Sequence, residues 1–504
     1  MLWVCLLLPS LPLDVFSRAH SPADAAQPFA VTSGGRTPRI AHANDSARDA
    51  GIRKGQLVSA SLALAPDLVL RERDPNAESA ALAAVATWMT QLTPAITLAP
   101  PDAVLAEIGG SLRLFGGLQK LAARLSRGLH DLGYGASFAF APTPAAALLF
   151  ARAGVESDAR SSGPAFLDAL APLPLSLSEA DPDAIAMLAT AGVTTFGQAC
   201  ALPRAALARR VGAAFPVILD RVRGIVADPR PPFVPPPSYE GKIDLPAPVE
   251  NVEALAFAVN RLVVELAGWL LGRGLGVGEM SLTLAHERYV GVKTGLPATV
   301  VNFALAAPAR ETAHLVSVLR ERLARVALPA PVEAIVLRSI ATAPLAGRNL
   351  GLLPGEDRAA VVPLIDRLRA RLGEEWVVYV APNAEHRPER AWREQRLELD
   401  AAGKRAEKSR RAKNPEPDPG FPLPESPRPV WLLAEPEPLG DRLEAQPWVL
   451  RDGPERIESG WWDGVDVRRD YFVAENPRGE TVWIYRDHRY GIDDGEWFMH
   501  GIFA

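Results

Sequence analysis

The residues best placed for chemistry are two acids near a glycine-rich segment. Asp102 precedes and Glu107 closes a predicted strand over 103–108, and the segment EIGGSLRLFGG runs on to Gly117. Carboxylate oxygens are the ligands that hard divalent cations prefer, so this pair could belong to a metal site. A turn residue and a solvated strand end are the alternative interpretation, which the spacing favours. We therefore predict no catalytic residue and no metal site here.

The glycines of this segment predict backbone turns. Gly109, Gly110, Gly116 and Gly117 lack the Gly-Lys-Ser/Thr ending of a P-loop and the Gly-x-Gly-x-x-Gly spacing of a dinucleotide site. We therefore predict no bound cofactor.

Composition excludes several other classes of site. Cys5 and Cys200 lie too far apart in sequence to suggest a disulfide framework or a cysteine-based zinc site. With 54 Lys and Arg against 59 Asp and Glu, the net charge of -5 excludes a globally basic surface. Any DNA-binding surface must therefore be local.

The apolar start MLWVCLLLP predicts a buried strand. No Lys or Arg precedes it and Pro9 ends it, unlike a secretory signal. The most apolar helical segment carries Arg261 and Glu265 and so lacks the ~18 uninterrupted apolar residues of a membrane span. We expect a cytoplasmic protein with no membrane partner.

Hydrophobic periodicity predicts an α+β multidomain protein. The predicted strands are 2–8, 28–32, 103–108, 137–141, 279–285, 298–304, 332–341 and 376–380, and the predicted long helices are 76–92, 118–132, 252–271 and 309–325. The predicted segments are an α+β domain (1–154), a helical domain with a helix–hairpin–helix (155–230), a proline-rich linker (231–248), a βαββαβ domain (249–382), a disordered basic and proline-rich linker (383–427) and a β-rich aromatic module (428–504).

This order resembles the palm with fingers, thumb and little finger of the Y-family, or translesion, DNA polymerases. Several motifs resemble the ImuB family more closely, the Y-family-like subunits of bacterial mutasomes. These motifs are LWVCLLLPSLPLDVF, EIGGSLRLFGG, APTPAAALLFARAG, WFMHGIFA and, most specifically, GPERIESGWWDGVDVRRDYFVAENPRGETVWIYRD. The resemblance spans nearly the whole chain.

The resemblance also implies where metal-binding acids would stand. Active Y-family enzymes place two acids in the first strand, which align with Cys5 and Leu7, and an aromatic sugar-checking residue near Ser10. An adjacent acid pair aligns with Asp102 and Ala103. Two-metal phosphoryl transfer needs several converging carboxylates. The resemblance therefore implies a pseudo-polymerase, not an enzyme.

The alternative is an active, Mg-dependent Y-family translesion polymerase. It would need carboxylates from outside the expected motifs, and Asp14, which follows Pro9 and Pro12, is out of register with them. A third class, a DNA-binding repair protein independent of any clamp, fits the hairpin and the little finger only.

DNA binding needs no catalysis, because contacts to the phosphate backbone supply affinity. Gly192 and Gly197 either expose helix N-terminal N–H groups to a phosphate or let helices pack closely. The basic run over 405–413 either binds the DNA backbone or solubilises a linker. The cationic candidates, chosen by charge alone, are Arg209, Arg210, Arg261, Arg273 and Lys293.

Three protein partners are implied by the resemblance: the β sliding clamp, a RecA-like accessory protein, and an error-prone C-family DNA polymerase that carries out synthesis on damaged DNA. Clamp-binding peptides are short and extended, with Gln, Leu and a pair of large apolar residues. GRNLGLLPG fits if Asn349 replaces the glutamine, with Leu350, Leu352 and Leu353 as the apolar residues. An ordinary loop whose leucines dock on their own domain is the alternative.

The last 77 residues contain six of the eleven tryptophans. We predict that some of the aromatic residues there form an exposed partner-binding surface. The candidates are Trp461, Trp462, Tyr471, Trp483 and Trp497. A fully buried small β core is the alternative. The resemblance as a whole implies an adaptor in damage-induced translesion synthesis and SOS mutagenesis.

Overall fold

The computed structural model describes residues 1–19, 26–155, 163–288, 295–345, 361–396, 427–440, 443, 447–488 and 495–503. The chain divides into two compact units. The first comprises chiefly Met1–Arg371, and the second comprises Leu372–Leu399 with Arg405–Ala504.

Two sheets are formed by the first 150 residues. Their strands are β1 (Trp3–Leu7), β2 (Phe29–Thr32), β3 (Ile40–Ala43), β4 (Val69–Glu72), β5 (Ile96–Ala99), β6 (Ala103–Glu107) and β7 (Ser137–Ala141). The larger sheet is antiparallel, in the order β5-β6-β1-β7. The smaller sheet has the order β3-β2-β4, with β2 and β4 parallel.

Six helices accompany these sheets. They are α1 (Leu11–Ser17), α2 (Asp45–Asp49), α3 (Val58–Leu64), α4 (Pro75–Met89), α5 (Leu118–Leu132) and α6 (Pro144–Ala153). In α5 the buried leucines recur at helical spacing, and Gly133 ends the helix with a left-handed backbone (φ +82°). In α6 the Thr143 hydroxyl accepts a hydrogen bond from the Ala146 N–H and caps the helix. The long helices and strands predicted for this region are confirmed.

The larger sheet separates two cores because successive side chains of a strand point to opposite faces. In β1, Val4 and Leu6 pack with α4 and α5 on one face. Cys5 and Leu7 pack with α6 on the other face. Both faces of the sheet are therefore covered.

Five short helices follow in the described part of residues 155–230: α7 (Pro164–Leu170), α8 (Pro182–Thr190), α9 (Phe196–Ala201), α10 (Arg204–Val211) and α11 (Ala214–Arg223). Their apolar residues share the core that contains Cys5. The helical domain predicted over 155–230 thus packs on the first sheet, through α6.

A βαββαβ domain comes next. It consists of β8 (Glu240–Val249), α12 (Val252–Arg273), β9 (Leu275–His286), β10 (Ala298–Ala309), α13 (Thr312–Leu323) and β11 (Val332–Pro344), followed by α14 (Val361–Leu372). The sheet order is β10-β9-β11-β8. The prediction of a linker over 231–248 is wrong from Glu240 onward, because β8 is an edge strand, where prolines are tolerated.

Among the described helices, α12 alone is long and apolar enough to cross a membrane. Leu262, Val263 and Leu266 have no exposed surface, and they pack in the core of the βαββαβ domain. The apolar character of α12 is therefore that of a central helix.

The described residues of the second unit form two sheets. Its strands are β12 (Val378–Pro382), β13 (Trp392–Arg396), β14 (Trp431–Pro438), β15 (Val449–Ser459), β16 (Val467–Glu475), β17 (Thr481–Asp487) and β18 (Trp497–Ile502). β12 pairs with β13, and the others form an antiparallel sheet in the order β14-β18-β17-β16-β15. The prediction that residues 428–504 form a β-rich module is confirmed.

Two predictions fail at the start of this unit. The strand predicted over 376–380 does not complete the βαββαβ sheet, because β12 pairs with β13 instead. Residues 383–396, predicted to belong to a disordered linker, form ordered structure with β13. The physical reason is that buried Arg387 is neutralised by Glu385 and Asp463, so this charge-rich segment can fold.

Candidate functional site

The positions where the resemblance places metal-binding acids lie in an apolar core. Cys5 stands between Leu105 of β6 and Ala139 of β7, and Leu7 stands opposite Ala103. Cys5, Leu105 and Ala103 have no exposed surface. Burial raises the pKa of the Cys5 thiol to about 12, so the thiol is neutral at physiological pH.

The same face of the sheet is covered by helices. Phe150 of α6 and Phe166 of α7 lie with their ring centroids 6.1 Å apart in the core that contains Cys5 and Leu7. Apolar side chains supply no ligand to a hard cation. Within the described part of the chain, moreover, no three His, Cys, Asp or Glu residues are grouped so that they could hold a metal ion.

The two acids near the glycine-rich segment have different surroundings. Glu107 accepts hydrogen bonds from the N–H groups of Leu2 (3.1 Å) and Gly109 (3.0 Å), so it closes the turn after β6. The backbone carbonyl of Asp102 accepts from the Leu8 N–H (2.8 Å), while its buried Oδ1 has no hydrogen-bond partner among the described residues. The turn interpretation therefore accounts for Glu107.

Asp14 is buried on α1. Its carboxylate accepts a hydrogen bond from the Gly135 N–H (2.9 Å) and lies in the field of Arg261 and Arg18. Burial outweighs these interactions and raises the pKa of Asp14 to about 7. Ser10 and Asp14 line the same cavity of about 600 Å³, which α12 also borders.

A buried ion pair joins the α1 region to α12. Arg18 donates to Glu265 (3.2 Å) and to the Tyr134 hydroxyl (2.5 Å), and all three side chains are buried. Burial raises the pKa of the Glu265 carboxyl, and the Arg18 guanidinium opposes that rise. The pair spans 247 residues of sequence, so it fixes the βαββαβ domain against the first sheet's helices.

Arg261 of α12 lies at the same contact between the α1 region and α12, which we call the junction. It donates to the Arg18 backbone carbonyl, and its guanidinium lies 4.4 Å from the centroid of the Phe257 ring. Burial lowers the pKa of Arg261 to about 10. Arg261 is thus engaged within the protein while remaining half-buried, and its contact with DNA stays a prediction.

Trp88 fills the same junction from α4. Its ring is so close to Gly128 of α5 and Gly268 of α12 that a Cβ at either glycine would overlap it. Glycine at these positions lets the two helices approach the indole ring. The indole therefore packs against two helices at once.

In the hairpin between α8 and α9, internal hydrogen bonds already use the N–H groups of both candidate glycines. The Gly192 N–H donates to Ala189 (3.0 Å), and the Gly197 N–H donates to Ala171 (2.9 Å). A Cβ at Gly197 would also press against Ala171. Helix packing therefore accounts for Gly197, whereas Gly192 has a left-handed backbone (φ +78°) and no atom within 4 Å of an added Cβ. The prediction that this hairpin contacts a phosphate stays a prediction.

The remaining cationic candidates are in part accessible. Arg209 and Arg210 are exposed on α10. Arg273 lies with its guanidinium 5.3 Å from the Trp269 ring centroid and donates to the Pro235 carbonyl (3.4 Å). Lys293 lies outside the described residues, as does the run over 405–413.

The clamp-peptide candidates also lie outside the described residues. Asn349, Leu350, Leu352 and Leu353 fall within 346–360, between β11 and α14. The clamp-peptide prediction stays a prediction.

The C-terminal aromatic candidates separate into two groups. Tyr471 and Trp483 are buried, and their rings stack with centroids 3.9 Å apart, so they form part of the core and cannot belong to an exposed surface. Trp497 is half-buried against Phe472. Trp461 and Trp462 are 79% and 57% exposed. They are the candidates that a partner could reach.

The buried side chain of Arg387 holds the turn that carries Trp461 and Trp462. Arg387 donates to Asp463 (2.6 Å) and to the Val465 carbonyl (3.1 Å). Its guanidinium also lies 5.8 Å from the Trp462 ring centroid. The two tryptophans therefore project from a turn that Arg387 holds through hydrogen bonds.

Sequence reasoning missed Arg18, Arg387 and two exposed tryptophans, Trp392 and Trp431. The burial of the two arginines has no clear local signal, because Arg18 pairs with Glu265 and Arg387 pairs with Asp463, both far along the chain. The tryptophans did carry one, since large aromatic residues are unusual in a segment rich in charge and proline.

The sequence of the chain is similar to those of known proteins. Residues 16–152 match the model of the impB/mucB/samB family. The chain is 30% identical over 491 residues to Protein ImuB of Caulobacter vibrioides, in strains NA1000 / CB15N and ATCC 19089 / CIP 103742 / CB 15. The match covers 90% of this chain and 100% of each relative.

Among solved structures, similar chains include DinB from Sulfolobus solfataricus (15% identity, TM-score 0.36) and a post-insertion binary complex of Dbh DNA polymerase (15% identity, TM-score 0.38). Each match covers 67% of this chain and 98% of the other. The chain has an α+β multidomain fold, and its match at 30% identity to the whole length of the Caulobacter proteins shows that it belongs to the ImuB family.

Proposed function

We propose that this protein is a non-catalytic Y-family-like adaptor of the cytoplasm that assembles a translesion complex on damaged DNA. It links the β sliding clamp, a RecA-like accessory protein and an error-prone C-family DNA polymerase, which carries out the synthesis. Membership of the ImuB family supports the setting of DNA damage and translesion synthesis.

The observation that carries the non-catalytic part is the burial of Cys5, Leu7 and Ala103 in one apolar core. Two-metal phosphoryl transfer needs carboxylates at an accessible site. A neutral thiol and two aliphatic side chains offer none. Asp102 is the one acid at these positions.

Primer extension tests this part of the proposal. The purified full chain is incubated with a primed template, dNTPs and Mg²⁺ or Mn²⁺, beside an active Y-family polymerase as positive control. We expect no dNTP addition by this chain. Template-directed addition would favour the alternative, an active translesion polymerase, and would overturn the non-catalytic assignment.

The clamp interaction rests on the sequence GRNLGLLPG. We expect the full chain to bind the β clamp and the double variant Leu352→Ala/Leu353→Ala to lose most of that affinity. Leu296→Ala, which truncates an exposed leucine of the same unit, is the matched control and should bind as wild type does. Clamp binding unchanged in the double variant would remove this peptide from the proposal.

Recruitment of the other two proteins is assigned to the C-terminal module, where Trp461 and Trp462 are exposed. Tryptophan residues are enriched among binding hot spots, because they bury much apolar area. We expect Trp461→Ala/Trp462→Ala to weaken binding of the accessory protein or the polymerase about 10-fold or more. Trp376→Ala, at an equally exposed tryptophan of this unit, should have no effect.

DNA contact is assigned to exposed cations of α10, Arg209 and Arg210. Non-specific binding to DNA depends on phosphate neutralisation and falls with salt. We expect the double variant Arg209→Gln/Arg210→Gln to bind duplex DNA more weakly and with a shallower salt dependence, as measured by fluorescence anisotropy. An unchanged salt slope would remove these residues from the DNA surface.

A further inference from the structure

A groove of about 680 Å³ lies between α5 and α12 in the first unit. One face of each helix and the residues at the start of α13 line it, and buried Trp88 of α4 borders it. α5 covers the face of the larger sheet that carries Val4 and Leu6, opposite the face of Cys5 and Leu7. The groove is therefore separate from the positions where a polymerase would have its metal site.

The α5 wall of this groove is cationic. Lys120, Arg124 and Arg127 are exposed and recur at helical spacing, so they follow one side of α5 along about 10 Å of its axis. Arg310, just before α13, lines the same groove. The acidic lining residues are only two, Asp131 and Glu311.

The groove cations have no acidic partner within salt-bridge distance among the described residues. The side chains of Lys120, Arg127 and Arg310 form neither a hydrogen bond nor an ion pair there. Arg124 donates to the side-chain oxygen of Gln91 (2.9 Å), which is neutral. Their positive charge is therefore available to an anionic ligand.

The sheet of the βαββαβ domain differs from the groove in this respect. Its exposed cations are neutralised, since Lys242 pairs with Asp244 (2.8 Å) and Arg338 with Glu240 (2.9 Å). The net charge of the whole chain is -5. Four clustered cations without acidic partners thus form a local basic surface, and a polyanion is its complement.

The α12 wall of the groove is apolar. Val264, Ala267 and Leu271 line it at helical spacing, and Leu271 is 37% exposed. In grooves that bind single-stranded nucleic acid, cations follow the phosphates while other side chains pack against the faces of the bases. Arginine suits both roles, because its planar guanidinium binds phosphate through two hydrogen bonds and stacks on bases. A duplex keeps its bases stacked on one another and would leave the apolar wall without a partner.

We infer that this groove binds single-stranded nucleic acid, with the phosphates against α5 and the bases against α12. A cavity of this size admits a ligand of nucleotide dimensions. The inference goes beyond the proposed function, which assigns duplex DNA to the cations of α10. It adds a second nucleic-acid site with a different preferred form of the ligand.

Fluorescence anisotropy of labelled oligo(dT) with the purified full chain tests the inference. We expect Lys120→Gln/Arg127→Gln to weaken binding about 10-fold and to reduce the slope of log K against log salt by about 0.7 for each lost phosphate contact. The matched control, Arg320→Gln/Arg325→Gln, removes two exposed cations of the same unit that do not line the groove. It should bind as wild type does. All four positions lie on the surface, so folding should persist, and a circular dichroism spectrum checks it.

Cross-linking locates the bound strand independently of these variants. A photo-crosslinking amino acid at position 271 of α12 should cross-link to oligo(dT), and one at position 325 should not. Wild-type binding without a cross-link at position 271 would overturn the placement of the bases.

The other outcomes separate the possible ligands. Failure of the wild-type chain to bind oligo(dT), or equal losses in both double variants, would overturn the inference. Labelled polyglutamate bound as tightly as oligo(dT) would mean that the groove takes an acidic protein segment instead. Duplex bound as tightly and lost equally in the groove variant would remove the preference for a single strand.

The proposed function is tested separately, by duplex binding with the variant of Arg209 and Arg210. Loss of the single-strand site alone leaves that result unchanged, so the two failures are distinguishable.

Discussion

Two buried regions of the first unit differ in the chemistry of their interiors. Around Cys5 and Leu7, where a polymerase needs charge, the interior is apolar. Around Arg18 and Glu265, where packing alone would suffice, the interior contains an ion pair. In the first unit, therefore, the buried ion pair joins two domains, and the sheet face towards α6 forms an apolar core.

The largest effect is expected when a carboxylate is placed in the apolar core, where a polymerase would have one. We expect Cys5→Asp to lower the free energy of unfolding by about 4–5 kcal/mol, because the charge would be buried without a partner. Cys5→Ala, as control, should cost about 1 kcal/mol. Hydrogen exchange of the β1 amides under increasing urea measures both. Equal costs for Asp and Ala would mean that the site is open to water.

The reverse test removes a charge from the junction. We expect Glu265→Ala to lower the free energy of unfolding by about 3–4 kcal/mol, because Arg18 would be left buried and unpaired. Glu265→Gln retains an acceptor for Arg18 and should cost less. Chemical denaturation followed by hydrogen exchange of α12 compares them. A cost below about 1 kcal/mol for the alanine variant would mean that the ion pair does not stabilise the junction.

Asp14 is an acid at the border of the junction, and its protonation makes the stability of the protein depend on pH. Its pKa in the folded protein, about 7 against an ordinary 3.8, is raised by burial. The folded state therefore binds the proton more tightly than the unfolded state. This stabilisation is complete below the ordinary pKa and is lost as pH rises toward 7.

Asp14→Asn, which keeps an acceptor for the Gly135 N–H, should abolish this dependence. We expect its stability relative to wild type to increase by about 1–3 kcal/mol between pH 4 and pH 7. Urea denaturation at each pH measures the difference. Parallel stability profiles for the two proteins would mean that the Asp14 carboxylate is well solvated.

The smallest expected effect concerns the fit of Trp88 at the junction. We expect Gly128→Ala to destabilise the protein by about 1–2 kcal/mol, because the added methyl group overlaps the indole ring. The control, Gly110→Ala, adds the same group where no atom lies within 4 Å and should be close to neutral. Thermal unfolding separates them, and equal melting temperatures would mean that α4 and α5 can move apart.

The sequence predicted most regular elements of the α+β and βαββαβ domains because their apolar residues repeat at the periods of helices and strands. It missed β8, since the prolines of that segment suggest a linker and only sheet topology reveals an edge strand. It also misjudged residues 383–396, whose charges indicate disorder until their partners near residue 463 are brought beside them.

Of the candidate site, residue identity alone determined that Cys5, Leu7 and Ala103 carry no carboxylate. The resemblance then determined which positions mattered. Only the tertiary structure decided that these residues form one sealed core, that Arg261 serves the junction and that Trp461 and Trp462 are exposed while Trp483 is not. The physical reason is that burial and ion pairing join residues far apart in the chain, and no local pattern records those contacts.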